Sequence, residues 1–213
     1  MSRWLLRSLR HHRALASRAS GFTLIELAIA MAIIGLLLTT VLMATGLIGV
    51  SDAQAVRSAV SDLSAATTQF RAQYSYLPGD MPTATTVVPG VVANSCTVTA
   101  NGNGDGQVDA AEAPCVPWHL NKAGLIKGSG GTITYSLSGG TIVTLQVIAR
   151  SASGVTTFPT STRNVIELLN VPCPIAQDLD AKLDDGNFTT GNVRASVASC
   201  TGDAIVASVA VAL

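Results

Sequence analysis

The chain has 213 residues, of which 48% are hydrophobic, 4% aromatic and 12% charged, a balance that suits one modest domain joined to something unusually apolar. The formal net charge of zero conceals a division: residues 1–21 hold Arg3, Arg7, Arg10, Arg13 and Arg18 and no acid, so the remainder carries the compensating negative balance. Zinc and thioredoxin-like sites are poorly supported, because Cys96, Cys115, Cys173 and Cys200 form no C-x-x-C pair and His119 is the one histidine beyond the basic leader.

From Phe22 to Val50 the sequence has a single charged residue, Glu26. As a helix this run is about 43 Å long at about 1.5 Å per residue, enough to cross a hydrocarbon core of about 30 Å. It exceeds the apolar core of a secretory signal, about 7–15 residues, and the distinctive local sequence precedes the apolar run instead of following it. Lys and Arg are retained on the cytoplasmic side, so the leader stays inside and everything beyond Val50 is exported. A membrane span follows the arginines at once, so they do not read as a nucleic-acid arm, and no nucleic-acid partner is indicated. All four cysteines lie in the exported part, where disulfides form and persist.

Glu26 separates this segment from a plain single-pass anchor. A carboxylate at the centre of a lipid-facing helix costs about 2.5–3.5 kcal/mol on insertion scales, and less near the interface, so Glu26 asks for a partner. A cut before Phe22 supplies one: the new α-amino group is cationic and sits one helical turn from Glu26, or on a neighbouring chain in a polymer. That pairing satisfies both charges and sets the axial register between subunits.

Gly21-Phe22-Thr23-Leu24-Ile25-Glu26-Leu27, behind a short basic leader and ahead of a long apolar run, resembles the class III signal of type IV pilins and type II secretion pseudopilins. The resemblance implies that a prepilin peptidase and methyltransferase cuts after Gly21 and methylates Phe22, and that Glu26 guides assembly. It further implies a structural, non-enzymatic subunit that joins other pilin-like chains in a helical filament with the help of an inner-membrane assembly platform. Such a precursor is a single-pass inner-membrane protein with its N-terminus in the cytoplasm and its head in the periplasm. It later enters a pilus or pseudopilus. The competing reading is a monomeric, membrane-anchored calcium-binding module of the cell surface.

The segments that follow are a cleaved leader at 1–21, a transmembrane or filament-core helix at 22–50, an amphipathic continuation at 51–77 and a globular head at 78–213. Val56, Val60, Leu63, Thr67, Phe70 and Tyr74 recur at three- and four-residue steps with charges between them, which predicts that the helix runs to about Tyr76. Leu77-Pro78-Gly79-Asp80 then stops it. In the head, 132–137 and 141–148 are β-branched runs flanking Ser138-Gly139-Gly140, a hairpin signal, and 193–197 and 204–211 are further strands. A helix is expected from Pro174 to near Asp185-Gly186. The fold class is α+β: one long helix packed on a small antiparallel sheet, a pilin-like roll.

Asn101-Gly102-Asn103-Gly104-Asp105-Gly106-Gln107-Val108-Asp109-Ala110-Ala111-Glu112 resembles the twelve-residue EF-hand calcium loop. By that resemblance Asn101, Asn103 and Asp105 offer side-chain oxygens, Gly106 makes the sharp turn, Gln107 offers its carbonyl, Asp109 ligates directly or through water, and Glu112 is bidentate. Asn at the first position removes a charge, which suits an extracellular module meeting plentiful calcium. Asn-Gly and Asp-Gly repeats also make plain turns, but the final Glu falls where a calcium loop needs it.

Pro114 is expected to interrupt the helix that leaves such a loop. The sequence-local pairing of the cysteines is Cys96 with Cys115, bracketing the loop, and Cys173 with Cys200, one of three possible connectivities. His119 reads as a packed residue, since no recognisable nucleophile motif adjoins it. The stretch 128–131 lacks the lysine of a phosphate loop and reads as a linker. Asn187-Phe188-Thr189 matches a glycosylation acceptor by pattern only.

Overall fold

The computed structural model describes residues 21–96, 100–128 and 130–213, the side chains of 41–48 excepted, in two units, Met1–Met43 and Ala44–Leu213. The leader expected at 1–21 lies outside the described residues up to position 20, as does residue 129 of the expected linker. Helix α1 is assigned to Leu24–Tyr74, 51 residues. Every described side chain from Gly21 to Thr40 is exposed, including Phe22, Leu24, Ile25 and Leu36. Among the described residues no helix is long and apolar enough to cross a membrane. The run expected to span includes 41–48.

Within the second unit the three- and four-residue spacing becomes a buried stripe. Val56, Val60, Leu63, Thr67 and Phe70 are buried, and Tyr74 is half-buried against the same core. The helix ends at Tyr74 instead of Tyr76, because Ser75 takes a left-handed conformation (φ 64°) while its N–H still bonds the Arg71 carbonyl at 2.8 Å. A left-handed residue just past the last turn is a common way for a helix to finish, although glycine more often fills that position.

The sheet is antiparallel throughout, in the order β1-β2-β3-β5-β4. Its strands are β1 (Ile133–Ser136), β2 (Ile142–Ala149), β3 (Asn164–Pro172), β4 (Val193–Ala195) and β5 (Ile205–Ala212). The expected hairpin joins β1 to β2, with Gly140 at φ 81° and the Leu137 N–H on the Thr141 carbonyl at 2.8 Å. Its tip is tied to α1 by Asp52, whose carboxylate accepts from the Ser138 N–H at 3.0 Å and hydroxyl at 2.9 Å. Side chains from α1 and from the sheet belong to a single hydrophobic core.

The central strand β3 is absent from the sequence reading. Val165, Ile166, Glu167 and Leu168 are all buried, so the strand shows no inside-outside alternation and its pattern cannot be told from a helix segment. Glu167 is only 2% exposed, and its carboxylate accepts from Ser208 Oγ and the Gly154 N–H on one oxygen and from Gln146 Nε2 on the other. A buried carboxylate is tolerated where its lone pairs are filled in this way.

Among the described residues three short α-helices, α2 (Ala84–Val87), α3 (Cys115–Lys122) and α4 (Cys173–Leu183), and a 3-10 turn at Arg150–Ala152 complete the fold. Pro114 does not interrupt a helix as expected; it immediately precedes α3, where a missing N–H costs nothing. Helix α4 starts at Cys173, close to the expected Pro174, and stops at Leu183, before Asp185-Gly186. It is linked to α1 by the ion pair Arg57–Asp178 at 2.8 Å.

Cys96 is joined to Cys115 and Cys173 to Cys200, the sequence-local pairing. The second bridge spans a separation of 27 residues and ties the start of α4 to the segment before β5. On loop-entropy grounds, Cys173→Ala with Cys200→Ala is expected to lower stability by about 3 kcal/mol. The check is a lower urea midpoint for the double variant than for the wild type, with a steeper slope because the unbridged unfolded chain exposes more surface, and with non-reducing peptide maps confirming the bridges in the wild type.

Candidate functional site

Two regions hold the residues that the sequence marks for function. In the first, Gly21, Phe22 and Thr23 precede α1, and Phe22 is 83% exposed. Thr23 caps the helix: its hydroxyl accepts from the Glu26 N–H at 3.3 Å and its carbonyl accepts from the Leu27 N–H at 3.1 Å. Thr-Leu-Ile-Glu is therefore placed as a capping-box sequence, with an acid in the first turn where the helix dipole favours negative charge. Glu26 is exposed, so its carboxylate is open to a partner from outside the chain. The helix begins at Leu24, which leaves the Gly21-Phe22 bond outside it.

The second region is the polar loop 101–112, which is folded around Asp80. The Asp80 side chain is 1% exposed; Oδ1 accepts from the N–H groups of Gly104 at 2.8 Å and Asp105 at 3.1 Å, and Oδ2 from Gly106 at 2.9 Å. Successive N–H groups converge on one carboxylate because Gly104 (φ 78°) and Gly106 (φ 84°) take left-handed conformations. Contact is close at Gly102, where a Cβ would lie 2.4 Å from Asp80 backbone atoms. Burial nevertheless outweighs these donors and, with the neighbouring charge of Asp105, raises the Asp80 pKa.

Glu112 closes the loop. Its Oε1 accepts from the Asn103 N–H at 2.8 Å and its Oε2 from the Asp109 N–H at 3.1 Å. Burial raises its pKa as well, and Asp80 and Asp109 add to the shift. Asn103 Oδ1 and Asp105 Oδ1 each accept from the N–H two residues on, and Asn101 Oδ1 accepts from Thr85. Asn101, Asn103, Asp109 and Glu112 line one open cavity, with no lysine or arginine among its described lining residues. Asp105 and Gln107 do not line it, so the six expected ligands are brought into one loop but not onto one face.

His119 and Asn164 hold this loop to the rest of the head. The His119 ring is fully buried; Nδ1 accepts from the Gly79 N–H at 2.9 Å, which places the proton on Nε2, and that N–H donates to the Ala100 carbonyl at 2.8 Å. The imidazole thus joins the turn after α1 to the start of the loop in its neutral form. Burial lowers its pKa from 6.5. Asn164, at the start of β3, accepts from the Val108 N–H and donates to the Gly106 carbonyl, both at 2.9 Å. His119 is packed, as the sequence suggests. Asp80 and Asn164 were missed. Asp80 stood in view as part of a helix stop, whereas nothing near Asn164 in the sequence points to the loop.

Residues 16–42 match the family model for the prokaryotic N-terminal methylation motif. The chain carries the prepilin-type cleavage and methylation signal of type IV pilins and pseudopilins. No curated protein matches the chain, and no solved structure matches it.

His119→Phe leaves the Gly79 N–H and the Ala100 carbonyl buried without partners, and is expected to cost about 2–4 kcal/mol. The unfolded chain takes up a proton near 6.5 before the folded one does, so this histidine's contribution to stability is lost as pH falls below 6.5. Thermal unfolding in EDTA from about pH 8 to about pH 5 is expected to show the gap between wild type and variant narrowing toward acid. A gap that widens in acid is the contrary result.

Proposed function

We propose that this chain is the precursor of a structural subunit, pilin or pseudopilin, of a type IV filament or a type II secretion pseudopilus. The observation that carries this reading is the methylation motif at residues 16–42, which brackets an exposed Gly21-Phe22 junction and an exposed Glu26. The leader and apolar helix hold the precursor in the inner membrane with its head in the periplasm. Prepilin peptidase removes the leader, and the apolar run 22–50 becomes the filament core, packed against other pilin-like subunits. The freed amine of Phe22 pairs with Glu26 of its own or a neighbouring chain. The pilin-type motif points to a structural role for the head.

This reading is tested on native material by intact mass and N-terminal peptides, which are expected to show a chain beginning at a methylated Phe22. An N-terminus at Met1, or one near Ala44, overturns it. Glu26→Val is expected to leave membrane insertion and cleavage intact while sharply reducing incorporation into filaments; normal polymer yield removes the assembly role of Glu26.

Calcium is the ligand we propose for the Asn101–Glu112 loop. Support comes from the cavity shared by Asn101, Asn103, Asp109 and Glu112, whose hard oxygen donors suit calcium, and from the raised pKa of Glu112 beside other acids. A cation there would neutralise carboxylates that burial now penalises. In calorimetric titrations of the full-length protein in detergent, Glu112→Gln is expected to remove one bound calcium relative to wild type. Unchanged stoichiometry leaves the loop a polar turn and does not touch the filament reading.

A further inference from the structure

Beyond the loop around Asp80, the C-terminal end of α4 gathers Asp180, Asp184 and Asp185 so that one carboxylate oxygen from each lies within 4.8 Å of the others. This is an unfavourable place for negative charge. The carbonyl end of a helix carries a partial negative charge of its own, and the last turn ordinarily favours cations. Asp180 is on α4 itself, with its side chain fully buried, and both of its oxygens lack a hydrogen-bond partner. Burial and the like charges of Asp185 and Asp184 penalise its ionised form, and the nearby Gly186 N–H, which makes no formed hydrogen bond to it, offsets them only in part.

Nearby basic groups form no ion pair with the cluster among the described residues. Arg194 attracts Asp185 weakly from a distance, while it donates to the carbonyls of Thr157 and Gly191 and lies over the Phe158 ring. Lys182 is exposed, and the one ion pair among the described residues is Arg57–Asp178. The other two carboxylates are held in place by the loop that follows. Asp184 Oδ2 accepts from the N–H groups of Asn192 and Val193, an approach that glycine alone permits at position 191, where a Cβ would lie within 1.9 Å of that oxygen. Asp185 accepts from the Asn187 N–H at 2.9 Å and the Thr190 hydroxyl at 2.6 Å. Asp184 is half-buried and Asp185 exposed, so the three acids run from the interior to the surface.

We infer that Asp180, Asp184 and Asp185 form a second divalent-cation site, selective for calcium, that closes the C-terminal end of α4 onto the 186–193 loop. Oxygens up to 4.8 Å apart can share one ion whose metal–oxygen distances are about 2.3–2.6 Å. Three carboxylates supply charge and leave room for the backbone carbonyls and waters that complete a calcium shell; magnesium, which demands a tighter octahedron, fits less well. Neither the N-terminal signal nor the Asn101–Glu112 loop enters this inference.

The test uses the full-length protein in detergent carrying Glu112→Gln, so that the other acidic loop is silenced, and calcium chloride as the probe against an EDTA baseline. Calcium is expected to raise the melting temperature of this protein, by binding the folded state, and magnesium to do so less. Adding Asp180→Asn is expected to abolish the rise. Asp185→Asn, at an exposed position where folding is not at risk, is expected to weaken calcium at least tenfold in calorimetric titration. The proposal is overturned if calcium moves the melting temperature equally with and without Asp180→Asn, if it moves neither, or if Asp185→Asn binds calcium as tightly as its parent.

Discussion

The carboxylate of Asp80 sits in the turn that ends the long helix and takes up the N–H groups of three consecutive residues from a loop more than twenty positions away. Unpaired, that acid would be a buried charge, which is expensive away from water. Paired with those N–H groups, it fixes where the loop 101–112 lies. Much of the head is built outward from this junction: His119 spans from Gly79 to Ala100, Asn164 joins Gly106 and Val108 to the start of β3, and the Ala149 N–H bonds the Val108 carbonyl. A polar loop thus does what an apolar element does elsewhere and connects helix to sheet.

The hydrophobic core has a complementary logic. Helix α1 presents a stripe of small and medium apolar residues, from Ala53 to Phe70, against a sheet whose central strand is covered on both faces. Among the polar groups admitted there, Glu167 is satisfied by three donors and Asn164 by both ends of its amide. The Thr67 hydroxyl and the Trp118 N–H have no hydrogen-bond partner, and neither has the buried carboxylate of Asp180. Its unpartnered oxygens at the carbonyl end of α4 contrast with the well-filled lone pairs of Asp80, which is why the two buried acids carry different implications.

The two parts of α1 show that apolarity alone does not define a core. From Phe22 to Thr40 every described apolar side chain faces outward, whereas after Ala53 apolar residues at helical spacing are buried in the chain's own head. Among the described residues, nothing covers the apolar side chains of this first part of the helix. The methylation motif at its head is what points to the surroundings it needs.

Sequence by itself determined the features that arise from local rules. The amphipathic stripe of α1, the Ser138-Gly139-Gly140 hairpin and the sequence-local disulfides each depend on neighbours within one turn, one hairpin or one short loop. The methylation signal is legible for the same reason, being a contiguous string. Tertiary structure alone decided what joins distant positions. β3 is hidden because burial on both faces erases alternation, and α3 because a proline next to cysteine resembles a break as much as a start. The acidic loop was legible as a loop, but not its organisation. Asp80 stands outside the motif, and Asp105 faces away from the cavity that Glu112 lines, because N–H groups turned toward a buried carboxylate orient the loop more strongly than the order of its side chains.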